Sequence, residues 1–283
     1  MTPGHNSGSS TQWPESVTQS RRQTEQPDPA ELPPLQTLLD STDWASLATA
    51  CGTGEALPAA LTLLTDPDPA IRRSALQAAL RPVTHQNSIY EATVPVALCV
   101  AAILSHPVIT AGDGDPEVGT QNRPTLVELL KWLGDTAYDA DDECVAAGER
   151  FCNEGFLDEY EEMRAFRDAR PAFFSAVHAL LDHNDADVRH TALVAAIPLI
   201  EHPLLTQHRT DLAGHARHLL ATSTDRRHRD RILEALKAWG HDTSGLEDAS
   251  DIAAREQYAR LRAARTSREG NWTGGGYSDD PPF

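Results

Sequence analysis

The sequence predicts an all-α fold, a row of short helices in antiparallel succession. Three observations carry this. Between residues 35 and 266, apolar residues recur at three- and four-residue spacing in nearly every segment, and no stretch alternates long enough for a convincing strand. Ala occurs 40 times and Leu 31 times while aromatics make up 6%, a mix that suits helices crossing closely on small side chains. The block 63–80 aligns without a gap to 180–197 with eight identities in 18 positions, so the chain repeats itself.

The elements follow in order. Residues 1–34 are polar and end in a run rich in proline (Pro27, Pro29, Pro33, Pro34), too poor in apolar surface to offset chain entropy, and are expected to be a disordered tail. Helices are expected near 35–50, 54–65, 69–80, 89–105, 124–136, 142–153, 156–168, 171–182, 185–201, 209–222, 227–240 and 249–265, with Gly, Pro, Asp or Asn at most breaks. Residues 106–124 form the longest apparent internal loop. Its run from Gly112 to Asp115 lacks the Gly-Lys-Ser/Thr ending of a phosphate loop, and it reads equally as a partner contact or a tolerated insertion. Residues 267–283, with Gly274 to Gly276 and a Pro281-Pro282-Phe283 end, read as a second disordered tail.

The repeated block has a physical reading. Leu63 and Leu64, like Leu180 and Leu181, close one helix. Asp68 or Asp185 caps the next, and Pro69 sits in its first turn, where a missing N–H costs nothing. Ile71, Ala75, Leu76 and Ala79 then form a narrow stripe, so Ile71 and Val188, and Leu76 and Leu193, are expected to be buried. The offset of 117 is three times 39, near the period of two-helix repeats. The Asp-Pro-x-Ile-Arg turn resembles HEAT repeats, clearly over 54–80 and 171–201 and more weakly over 209–240. That resemblance implies a right-handed α-solenoid of about five to six helical pairs over 35–266. It also implies ladders between an Asp and an Arg six residues on. Asp66 and Arg72 match this spacing; at Arg189 the Asp is replaced by His183, so Asp185 or Asp187 would substitute.

Charge bounds the function. Asp plus Glu is 42 against 24 Lys plus Arg, a net charge of −18, the wrong sign for displacing counterions from nucleic acid or for an anionic membrane surface. Only Lys131 and Lys237 are lysines, the signature of a GC-rich genome such as an actinobacterial one. No apolar run is long enough to span a bilayer and the N-terminus has no hydrophobic signal segment, so a cytoplasmic protein is expected. Cys51, Cys99, Cys144 and Cys152 show no Cys-x-x-Cys pair and read as reduced, mostly buried thiols; Cys144 and Cys152 could share a helix face.

The most unusual segment is 135–162. Asp135, Asp139, Asp141, Asp142, Glu143, Glu149, Glu154, Asp158, Glu159, Glu161 and Glu162 stand there against Arg150 as the lone cation. A solvated helix face would normally intersperse cations at i+4. The segment reads either as a solvated acidic surface or as a docking patch for a basic protein. A Ca²⁺ loop at Asp139-x-Asp141-Asp142 is a third, weaker reading, since no Gly or bidentate Glu follows. The segment from His85 to Thr93 resembles one found in bacterial HEAT-repeat proteins. Ser88 and Glu91 within it form a capping box, and His85, Gln86 and Tyr90 are candidates for a binding face.

Twelve histidines, including His215 and His218 on one helix, show no metal motif, and Arg226 to Arg229 reads as a solvated basic cluster among acids. No nucleophile motif or dinucleotide turn occurs. No catalysis, cofactor or metal is therefore expected. The sequence points to a binding protein, monomeric on its own, that covers a basic partner in the manner of an immunity or antitoxin-like protein against a basic toxin, such as a nuclease. The alternatives are a general scaffold or assembly adaptor and, against the charge, a HEAT-like DNA glycosylase.

Overall fold

The structure, a computed structural model, describes residues 32–111, 124–152 and 154–272. In chain order it contains α1 (Leu35–Ser41), the two-residue strands β1 (Ala48–Thr49) and β2 (Gly52–Thr53), α2 (Leu57–Leu63), α3 (Pro69–Leu80) and α4 (Thr93–Ile103). Next come α5 (Pro107–Thr110), α6 (Thr125–Tyr138), α7 (Asp142–Phe151), α8 (Phe156–Glu159), α9 (Glu161–Asp168) and α10 (Arg170–His178). The chain continues through α11 (Ala186–Leu199), α12 (Arg209–Thr222), α13 (Arg226–Ala238) and α14 (Ala249–Trp272). The protein is thus mostly helical, and no helix among the described residues is long and apolar enough to cross a membrane.

Two rows of helices pack on each other. In one, α3, α6, α11 and α13 touch in succession; in the other, α2, α4 and α10 do, and α12 packs on α11 and α13. Four pairs result: α2 with α3, α4 with α6, α10 with α11, and α12 with α13. The sequence predicts five to six, because it counts α7 to α9 as part of the regular array. The 117-residue offset spans two steps of the row and not three repeats of 39: α6 alone lies between α3 and α11, and α7 to α9 take up the remaining length.

The crossing of α6 on α11 is the closest. A Cβ added at Gly134 would lie 3.0 Å from both Cα and Cβ of Ala195, so the helices meet backbone to backbone. α4, and α11 past His190, are almost wholly apolar, as helices enclosed on several sides must be. α4 is packed by α1, α2, α6, α9 and α10, and α11 by α6, α10, α12 and α13.

The repeated turn is built as a unit. Asp68 caps α3 through the Ala70 amide, Asp185 caps α11 through Asp187 and Val188, and Asp225 caps α13 through His228. Four residues after each cap stands an arginine. Arg72 donates to the carbonyls of Asp66 and Pro67, Arg189 to those of His183 and Asn184, and Arg229 to those of Leu220 and Ser223. The expected Asp–Arg ladder is therefore replaced by arginines that close the carbonyls of the preceding turn. The carboxylates are used elsewhere: Asp66 accepts from the Asp68 amide, and Asp185 is the α11 cap.

Other expectations change as well. Val188, Leu76 and Leu193 are buried, but Ile71 is 38% exposed. Its helix opens the α3–α6–α11–α13 row and has a row neighbour on one side only, whereas α11 has one on each. The helix expected over 35–50 stops at Ser41, where the Thr42 hydroxyl takes the Leu38 carbonyl and the buried Trp44 donates to the Leu39 carbonyl; β1 and β2 follow as a hairpin. The Ser88–Glu91 capping box does not form. Residues 85–88 make a tight turn, α4 starts at Thr93, and Glu91 instead accepts the Ala48 amide at 2.7 Å. Only Cys99 of the four cysteines is buried; Cys51 and Cys152 are exposed and Cys144 half-buried, against the expectation of mostly buried thiols. α14 runs to Trp272, six residues into the expected tail at 267–283. Residues 1–31, 112–123 and 273–283, which hold most of the expected tails and of the loop 106–124, lie outside the described residues.

Candidate functional site

The acidic segment becomes the end of α6 and the three helices that follow it. Two of its first carboxylates, Asp135 and Asp142, meet arginines far along the chain. Asp135 pairs with Lys131 one turn earlier (2.9 Å) and with Arg227 of α13. Asp141 caps α7 by accepting the Cys144 amide at 2.8 Å. Asp142 pairs with Arg167 of α9, and its own amide donates to Glu201 at the end of α11 (3.0 Å). Arg167 and Arg170 both donate to the Ala140 carbonyl, and Arg170, 1% exposed, also pairs with Glu201 at 3.3 Å. Burial, and then the Asp142 charge, push the Glu201 carboxyl up to about 7 against the pull of Arg170.

Asp139 turns the other way, toward the turn at 85–88. Burial, then the charges of Asp135 and Asp141, push its carboxyl up to about 6, against the pull of Arg231 and of the Asn87 side chain. The turn is unusual: Gln86 (φ 51°) and Asn87 (φ 59°) are both left-handed, the geometry of a type I′ turn built without glycine. Tyr160, between α8 and α9, holds it. Its hydroxyl accepts from the Ile89 amide at 2.7 Å and donates to the Ile89 carbonyl at 2.8 Å. The two sets of candidates are thereby brought together, since Asp139 and Tyr160 touch the turn that carries His85 and Gln86. Tyr90 is half-buried and its hydroxyl donates to the His85 carbonyl, so it supports the turn more than it presents a face.

The remaining acids face solvent. Glu143, Glu149, Glu154, Asp158, Glu159 and Glu161 are exposed, and Glu162 is half-buried. Glu161 has Arg164 at 3.8 Å, while Glu143, Glu149, Glu154 and Asp158 have no ion pair among the described residues. α7 buries none of its side chains. It rests on α8 at Gly148, where an added Cβ would fall 2.4 Å from the Phe156 ring. At its end Phe151 is 84% exposed, with the Arg150 guanidinium 5.7 Å from its ring centre.

Phe151 is the residue that sequence reasoning missed. Its signal was its helical phase: it lies ~120° round the helix from Val145, off the stripe that Val145 shares with Gly148 and Cys152. The calcium-like spacing does not converge, because Asn87, the Cys144 amide and Arg167 engage Asp139, Asp141 and Asp142 separately. Among the described residues no group of three His, Cys, Asp or Glu is placed to hold a metal. Compared with known proteins, the chain matches no family model, no curated protein and no solved structure.

Proposed function

We propose that this protein is a non-catalytic, HEAT-like α-solenoid that binds a basic protein through its acidic α7–α9 insertion, in the manner of an immunity or antitoxin-like protein. The two packed rows and the thrice-repeated Asp cap and Arg closure support the solenoid reading. One observation carries the binding reading. α7 has no fully buried side chain and ends in Phe151, 84% exposed, flanked along the chain by Glu149 and Glu154, which are exposed and have no ion pair among the described residues. A large aromatic inside a charged rim is the composition of an interface anchor, with the rim speeding encounter and the ring contributing the burial. Cytoplasmic action against a nuclease-like toxin follows as the sharper form of this reading.

The test is capture from native lysate at 0.1 M and 1 M salt, with wild type against a variant carrying Phe151→Ser, Glu149→Gln and Glu154→Gln. A basic protein retained by wild type at low salt, released at high salt and lost from the variant supports the reading. The same proteins in every lane would refute it.

A further inference from the structure

The chain carries a second uncovered surface, and its charge is opposite to that of the insertion. α14 is 24 residues long, ~36 Å at 1.5 Å per residue. Its first turn is locked: Asp251, 2% exposed, accepts from both Arg226 and Arg229, and Glu247 pairs with Lys237 and Arg255. It packs on α13. Ala254, Tyr258 and Leu261 follow one another at i, i+4 and i+7, so they share a stripe. Tyr258 is 70% and Leu261 62% exposed. Ala254 and Tyr258, with Leu233 of α13, line an open cleft of about 720 Å³.

The stretch 255–268 holds Arg255, Arg260, Arg262, Arg265 and Arg268 against Glu256 as its one acid, in a chain whose net charge is −18. No ion pair among the described side chains joins α14 to α7, α8 or α9. Arg255 pairs with Glu247 and Arg260 with Glu256, but both guanidiniums are more than half exposed and can be shared with a second carboxylate, while Glu143, Glu149, Glu154 and Asp158 have no ion pair among the described residues.

We propose that the exposed face of α14 docks on the acidic insertion of a second copy of this chain, head to tail. Tyr258 and Leu261 then cover Phe151, and Arg255 and Arg260 meet the exposed carboxylates of Glu143, Glu149, Glu154 and Asp158. The proposal rests on the reading of the insertion as a docking surface, and α14 stands in for the basic partner. Because the two surfaces differ, the contact is heterologous: every copy keeps one free donor and one free acceptor face, and assembly continues into chains or rings. Dilute protein is monomeric; association grows with concentration and weakens with salt.

Sedimentation equilibrium of the full chain from about 1 to 200 µM tests this. In 50 mM salt the mean mass should climb above 30.8 kDa with concentration. In 1 M salt, with a screening length of ~3 Å, the association constant should fall by at least ~10-fold. Two variants, Phe151→Ser with Glu149→Lys and Glu154→Lys, and Tyr258→Ser with Arg260→Glu, should each be monomeric alone. Mixed in equal amounts, they keep one intact pair of surfaces and should stop at a dimer. A wild type that stays monomeric throughout, a mixture that forms no dimer, or a variant that still self-associates would overturn the proposal. So would α14-dependent binding to vesicles of anionic phospholipid without self-association. Loss of self-association in the Tyr258 variant with capture of a basic protein intact separates this proposal from the reading on which it rests.

Discussion

α11 and α7 are neighbours joined through Glu201, yet they are opposites. α11 buries ten of its fourteen residues and is enclosed by α6, α10, α12 and α13. α7 buries none and is held by the Asp141 cap, the Arg167–Asp142 pair at its start, Val145 against the core and the close contact of Gly148 with Phe156. Burial of apolar area is the main stabilising term in folding, so α11 is where stability is made. α7 contributes little to it, and in the proposed reading its exposed ring and carboxylates serve contact with a partner. The difference is already in the two patterns: α7 is amphipathic, while α11 past His190 is almost uniformly apolar.

That contrast can be broken by substitution. The largest effect is expected inside α11. Leu193→Ala, at a side chain 2% exposed, should cost ~2–5 kcal/mol in denaturant unfolding, as buried leucine truncations do. Ala195→Leu comes next. It pushes a side chain into the backbone of α6 at Gly134 and should cost ~1–3 kcal/mol, with recovery impossible by rotamer change alone. A loss below ~0.5 kcal/mol at either site would mean that α11 is not the centre of the fold.

The link between the two helices is titratable. Glu201 is pushed up to about 7 by burial, above its ordinary value, so the native state binds a proton that the unfolded chain does not. Stability from this group is therefore gained as pH falls through about 7 and is absent at pH 8. Wild type should melt higher at pH 6.5 than at pH 8, and Glu201→Gln should flatten that rise while leaving an acceptor for the Asp142 amide. Below that window His190 and His202 oppose the trend, because burial holds both below their ordinary value and acid must charge them. An unchanged slope in the glutamine variant would show that Glu201 does not couple α11 to α7.

The smallest effect is expected at the tip. Phe151→Ser should leave the unfolding free energy within ~0.5 kcal/mol of wild type, because the ring touches almost nothing. A loss of 2 kcal/mol or more, on the scale of ~2–5 kcal/mol for a buried side chain, would place the ring in the fold after all and remove the anchor from the proposed interface.

Local rules made much of this fold readable. α3 spans 69–80 as its pattern predicts, because Asp68 and Pro69 mark the start through chemistry that is complete within three residues. α11 and α13 open on the same Asp cap, without the proline. The pairing of helices was not readable, since an offset of 117 says nothing about how much of it belongs to an insertion. The acidic segment shows the same limit. Its charge counts as unbalanced along the chain, but Arg167 lies 25 residues and Arg227 92 residues from the carboxylates they meet. Exposure of Phe151 was legible only as a phase error on one helix. The turn at Gln86 and Asn87 was hidden because neither residue advertises a left-handed backbone as glycine does.

The Tyr160 hydroxyl engages both main-chain groups of Ile89, one as acceptor and one as donor. A side chain here does the work of an adjacent strand for a single residue. The Ile89 amide sits in a turn, where exchange with solvent deuterium is ordinarily fast, yet it can exchange only when the joint between α8 and α9 lifts away. Its protection factor is thus a built-in reporter, 71 positions distant in sequence, of whether the insertion is seated on the array.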